Sequence, residues 1–118
     1  MPMQHYHGGC QCGAVKYEVD VDLDKTFTCN CSRCQKIGSV LAFTPASNFK
    51  LLSGEGMQTE YLFNKNHIHH LFCKTCGVQS FSRAAGRDGT PTVAVNANCL
   101  EGVNPHELQS KHVDGKSY

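Results

Sequence analysis

Three cysteines fall within six positions at Cys29-Asn30-Cys31-Ser32-Arg33-Cys34, and five more are spread through a chain of 118 residues. No other feature limits the fold so tightly. A closed tetrahedral zinc site takes four ligands and a disulfide takes two, so this cluster matches neither. The other cysteines form two close pairs, Cys10-x-Cys12 and Cys73-x-x-Cys76, and a singleton, Cys99. Cys10/Cys12 and Cys29/Cys31 are too close for an unstrained disulfide, because one intervening residue does not give the Cβ positions and torsion the bond needs. The opening MPMQHYHGGC has no basic segment followed by an apolar run. We therefore expect no export signal and a cytoplasmic setting in which thiols stay reduced. Spacing and compartment both favour metal binding.

The remainder reads as one mainly β domain over residues 1–118, with little helix. In AVKYEVDV (14–21), Val15, Tyr17, Val19 and Val21 share one face and Lys16, Glu18 and Asp20 the other, the alternation of a half-buried strand. Further strands are expected at 40–45, 59–65, 67–72, 78–82 and 92–97. Turn signals separate them at Ser53-Gly54-Glu55-Gly56, Asn64-Lys65-Asn66, Gly86-Arg87-Asp88-Gly89 and Gly102-Val103-Asn104-Pro105. Helix is expected as a turn at SRCQKIG (32–38) and at PASNF (45–49). A chain this short with this many turns has reason to use a metal staple. The balance of 11 basic against 10 acidic residues, formal charge +1, gives no electrostatic ground for nucleic acid as a partner. Apolar runs such as VLAF at 40–43 are too short to span a bilayer.

Cys10-x-Cys12 precedes a strand and Cys73-x-x-Cys76 follows one, and Gly13 and Gly77 come directly after the pairs. Amide N–H groups beyond a ligating cysteine can donate to its sulfur, and the turn that aims them often needs positive φ. Two such knuckles predict a four-thiolate structural zinc site joining distant parts of the chain. The alternative is two unrelated pairs of reduced core cysteines.

The cluster Cys29, Cys31, Cys34 can place three sulfurs around one cation. Three protein ligands with the fourth position open is the pattern of a catalytic zinc. Two other readings stay open: closure by Cys99, His69 or His70, or a redox thiol group without metal. Cys99 and His70 also suit ordinary core positions. Three thiolates blunt the power of zinc to acidify water and instead suit a fourth, thiol ligand held as thiolate. Arg33 and Lys36 lie inside and just past the motif, where their charge would offset the sulfurs; both also suit plain solvated surface.

GGCQCGAVKYEV (8–19), CNCSRCQKIGS (29–39), HHLFCKTCGVQSF (69–81) and VNANCLEG (95–102) together resemble the glutathione-dependent formaldehyde-activating enzyme family. This is the S-(hydroxymethyl)glutathione synthase type, with its centromere protein V-like domain. The resemblance implies several coiled antiparallel β-sheets stapled by a four-cysteine zinc site, a fold shared with zinc-bearing chaperones of Rab GTPases and type B methionine sulfoxide reductases. It implies two zinc ions, a structural one at Cys10, Cys12, Cys73 and Cys76 and a catalytic one at Cys29, Cys31 and Cys34. It also implies a carbon–sulfur lyase that joins glutathione to formaldehyde when run in reverse. Arg33 and Lys36 would then meet a carboxylate of the thiol substrate, and His69 or His70 would move a proton. The main competitor is a non-enzymatic zinc module of the same fold that binds a protein. A sulfoxide reductase would need a nucleophilic cysteine outside both sites, for which only Cys99 is available.

Overall fold

The computed structural model describes residues 3–62, 68–85 and 89–114. Its strands are β1 (Gln4–Gly9), β2 (Lys16–Val21), β3 (Thr26–Cys29), β4 (Leu41–Pro45), β5 (Phe49–Ser53), β6 (Gln58–Tyr61), β7 (Ile68–Cys73), β8 (Phe81–Ala85), β9 (Pro91–Asn96) and β10 (Ser110–Val113). One short helix, α1 (Ser32–Ile37), follows β3. The strands form a three-stranded sheet, β1-β2-β5, and a seven-stranded sheet, β10-β3-β4-β9-β8-β7-β6. Pairing is antiparallel except where β10 lies parallel to β3. Among the described residues, no helix is long and apolar enough to cross a membrane.

The alternation in β2 works as expected. Tyr17, Val19 and Val21 are at most 1% exposed and join Val15, Ala42, Phe81, Val93 and Val95 in the core. Each of the buried valine and phenylalanine side chains contributes roughly 1.5–3 kcal/mol by leaving water. Tyr17, Phe49 and Phe81 pack at ring separations of 4.6–5.6 Å. The buried Tyr17 hydroxyl donates to the Ser80 carbonyl at 3.0 Å, so its polar end is satisfied.

Several boundaries differ from the sequence reading. β8 begins at Phe81, whereas Val78–Ser80 belong to the run leaving the second cysteine knuckle. The helical expectation at 45–49 becomes one tight turn over Ala46–Asn48, after which Phe49 opens β5. The strand expected at 59–65 is seen as Gln58–Tyr61, and residues 63–65 lie outside the described residues. The turn expected at 64–66 and most of that at 86–89 also lie outside them. Strands β1, β3, β5 and β10 carried no usable alternation. Instead, β1 pairs with β2 along its whole length. β10 aligns with β3 through side-chain bonds between Thr26 and Ser110 (2.8 Å) and between Thr28 and His112 (3.0 Å).

Candidate metal centre

The loop after β1 and the loop after β7 bring Cys10, Cys12, Cys73 and Cys76 together, with all four sulfurs within 4.8 Å of one another. Cys10 and Cys12 are 3.6 Å apart at sulfur, and Cys12 and Cys73 are 3.7 Å apart across 61 residues of chain. A tetrahedron with Zn–S bonds of about 2.3 Å has edges of about 3.8 Å, so the donor set fits a zinc ion. Gly13 and Gly77 have φ of 85° and 77°, the conformation their turns require. The amide of Val15 reaches the Cys10 sulfur at 3.3 Å and that of Thr75 reaches Cys73 at 3.4 Å.

These amides act on the thiols. The Val78 amide, then that of Cys12, draws Cys76 down to about 6. The amides of Cys76 and Thr75 lower Cys73. The Ala14 amide favours the Cys12 thiolate, but desolvation and the sulfurs of Cys10, Cys73 and Cys76 push that thiol up to about 11. Crowded like charges leave some sulfurs ready to ionise and others holding their proton. A divalent cation removes that conflict.

In the second group, Cys29 ends β3, Cys31 caps the start of α1, and Cys34 sits in its first turn. Their sulfurs also lie within 4.8 Å of one another. The Cys31 amide donates to the Cys29 sulfur at 3.4 Å, and the Cys34 amide to the Cys31 sulfur at 3.3 Å. Burial is the largest influence on Cys31 and opposes ionisation, yet the amides of Cys34 and Arg33 help to outweigh it and lower its pKa. Burial, then the Cys31 sulfur, pushes Cys34 up to about 12. Among the described residues, no fourth cysteine, histidine or carboxylate joins this group.

The alternative fourth ligands are engaged elsewhere. Cys99 faces the Gln79 carbonyl at 3.9 Å, and its thiol is raised to about 11 by burial and then by Cys10 and Cys76. His69 pairs with Glu60. His70, buried, accepts at Nδ1 from the Gln79 amide group at 3.4 Å.

A cleft of about 590 Å³ runs between α1 and the four-cysteine knuckles, lined in part by Cys10, Arg33, Ile37, Gln79, Asn98 and Cys99. Arg33 donates twice to the Gln79 side-chain oxygen, at 3.0 and 2.6 Å, and its guanidinium lies 4.7 Å from the Tyr61 ring centre. Lys36 is exposed in the last turn of α1 and is not among the cleft residues. Nothing in the sequence marked Gln79 or Tyr61, since neither belongs to a motif with Arg33.

A crystal structure of a Rhodobacter sphaeroides protein is similar to this chain, with 32% identity and a TM-score of 0.81. The match covers 91% of this chain and 99% of that one. The family model described as glutathione-dependent formaldehyde-activating enzyme matches residues 5–113, a span that contains every cysteine. The chain belongs to the glutathione-dependent formaldehyde-activating enzyme family, which implies an activity involving glutathione and formaldehyde.

Proposed function

We propose that the protein is a zinc-dependent carbon–sulfur lyase that forms and splits the adduct of a small thiol with a small aldehyde, the family pair being glutathione and formaldehyde. The observation that carries this reading is the three-sulfur group Cys29, Cys31, Cys34, gathered where β3 runs into the helix whose Arg33 and Ile37 line an open cleft. In this reading the four-cysteine group holds a structural zinc, and the three-cysteine group holds a second one. A zinc ion held there by Cys29, Cys31 and Cys34 would supply a soft positive centre that favours the ionised form of a substrate thiol.

The remaining work falls to the chain. Gln79 and the Tyr61 ring fix the plane of the Arg33 guanidinium, leaving N–H groups for a substrate carboxylate. The neutral His70 ring orients the Gln79 amide, so the side-chain oxygen of Gln79 faces Arg33. Lys36 adds charge at the rim of the helix. In the synthetic direction a carbon–sulfur bond forms, the carbonyl π bond opens onto oxygen, and the proton lost by the thiol ends on that oxygen. The product is a hemithioacetal, S-hydroxymethyl in the case of formaldehyde, and the lyase direction reverses each step.

Exchange spectroscopy on glutathione mixed with labelled formaldehyde tests the reading. Zinc-loaded protein should speed exchange between free aldehyde and adduct, and Cys31→Ser should not. Thiol binding without faster exchange would retire the lyase assignment while leaving the metal site standing.

A further inference from the structure

We propose that His5, His7 and Glu18 form a third metal site, on the outer face of the β1–β2 hairpin, that takes a late first-row divalent cation such as Zn2+ or Cu2+. His5 and His7 lie two residues apart on β1 and so share one face. The strand register sets Asp20 opposite His5 and Glu18 opposite His7. Both Nε2 atoms lie 3.5 Å from the same Glu18 oxygen, and the three donor atoms are within 4.8 Å of one another. Tetrahedral bonds of about 2.0–2.1 Å give ligand–ligand edges of about 3.4 Å, so the spacing is that of a coordination face.

The hydrogen bonding favours the same conclusion. His5 Nδ1 lies 2.7 Å from Asp20 Oδ1 and donates its proton there. In the neutral ring Nε2 then carries a lone pair directed at Glu18. A carboxylate holding the outer nitrogen of a ligating histidine is the usual support that fixes ring orientation and raises donor strength. The two imidazoles stand edge to face at 5.3 Å, each free to direct its own nitrogen inward. With His5 neutral, its Nε2 lone pair faces the Glu18 oxygen at 3.5 Å, a repulsion that a proton or a cation removes. Two imidazolium rings on one carboxylate would instead set two positive charges side by side. One divalent ion relieves both arrangements at once.

The set of two nitrogens and one carboxylate oxygen differs from the all-sulfur groups and suits borderline ions. Each histidine side chain is about half exposed, at 51% and 53%, leaving the outer side open to water. Asp20 is a positioning residue here, acting through His5.

The test uses full-length protein with both cysteine groups zinc-loaded, titrated with Zn2+ by equilibrium dialysis and with Cu2+ by electron paramagnetic resonance. Wild type should bind one further equivalent, with nitrogen hyperfine coupling in the copper signal. His5→Ala/His7→Ala should lose that equivalent with an unchanged melting temperature. Asp20→Asn should weaken it about tenfold without removing nitrogen coupling. Absence of a further equivalent in wild type, or its persistence in the double variant, would overturn the proposal. Imidazole 15N shifts confined to His5 and His7 on adding Zn2+ would locate the ion independently of affinity.

Discussion

Single residues decide the two cysteine groups through their chemistry and their amide neighbours. Cys73 is buried and joins a knuckle to one that lies 61 residues earlier at Cys12. We expect Cys73→Ser to prevent stable folding, because the remaining donors cannot hold zinc across so long a loop. Wild-type melting with full metal content would disprove this. His70 gives a pH effect of defined sign. Burial, then the charges of Arg33 and His69, holds its pKa down to about 4 from 6.5. The unfolded chain therefore takes a proton here before the folded one does. Stability contributed by neutral His70 is complete above about pH 6.5 and falls as pH drops toward 4. His70→Gln should lose less stability than wild type between pH 7 and pH 5, as read from urea midpoints at equal zinc content. At this scale the sequence was most informative, since ligand type and short spacing are local properties. The tie from Arg33 to Gln79, across 46 residues, exists only once the strands have placed the two side by side.

Among the elements, α1 carries two demands on one side chain. The Cys31 sulfur accepts from the Cys34 amide as the helix cap and is also one of the three clustered donors. Serine keeps a capping oxygen but is a poor soft ligand, whereas alanine removes both functions. Cys31→Ser should lose the second zinc and leave the fold and first zinc in place. Cys31→Ala should be less stable than Cys31→Ser by about 1 kcal/mol in the zinc-depleted second site, measured by chemical denaturation. Equal stabilities would show that the cap does not matter. Elements were legible where one face is apolar, as in β2, and missed where the strand carries mostly polar side chains. β1 and β10 are of the second kind. The contacts that place β10 run from Thr26 to Ser110, Thr28 to His112 and Asn30 to Asp114, and no local pattern announces them.

For the whole molecule, metal changes the charge. Seven ligand thiolates and two Zn2+ would take the formal charge from +1 to −2. The loaded protein should therefore focus below its sequence value of 7.6, and a native isoelectric point at or above that value would argue against two thiolate-bound zincs. The mainly β architecture and the joining of the first and third quarters of the chain were both legible, because the cysteine pairs mark strand ends. The allocation of strands to a three-stranded and a seven-stranded sheet was not, since it depends on long-range pairing.

The strand that seats parallel on β3 is also the last of the described strands in chain order, β10. A growing polypeptide presents all the thiols of the three-cysteine turn once Cys34 has been made, but completes the other group only with Cys76. The strand that flanks Cys29 arrives last, from Ser110 onward. Zinc capture by the turn can thus begin on the ribosome, before the staple exists and long before β3 gains its final neighbour. A peptide of residues 26–39 that bound no zinc would break this sequence of events. If the peptide does bind zinc, the three-cysteine turn is the first part of the protein to acquire its metal.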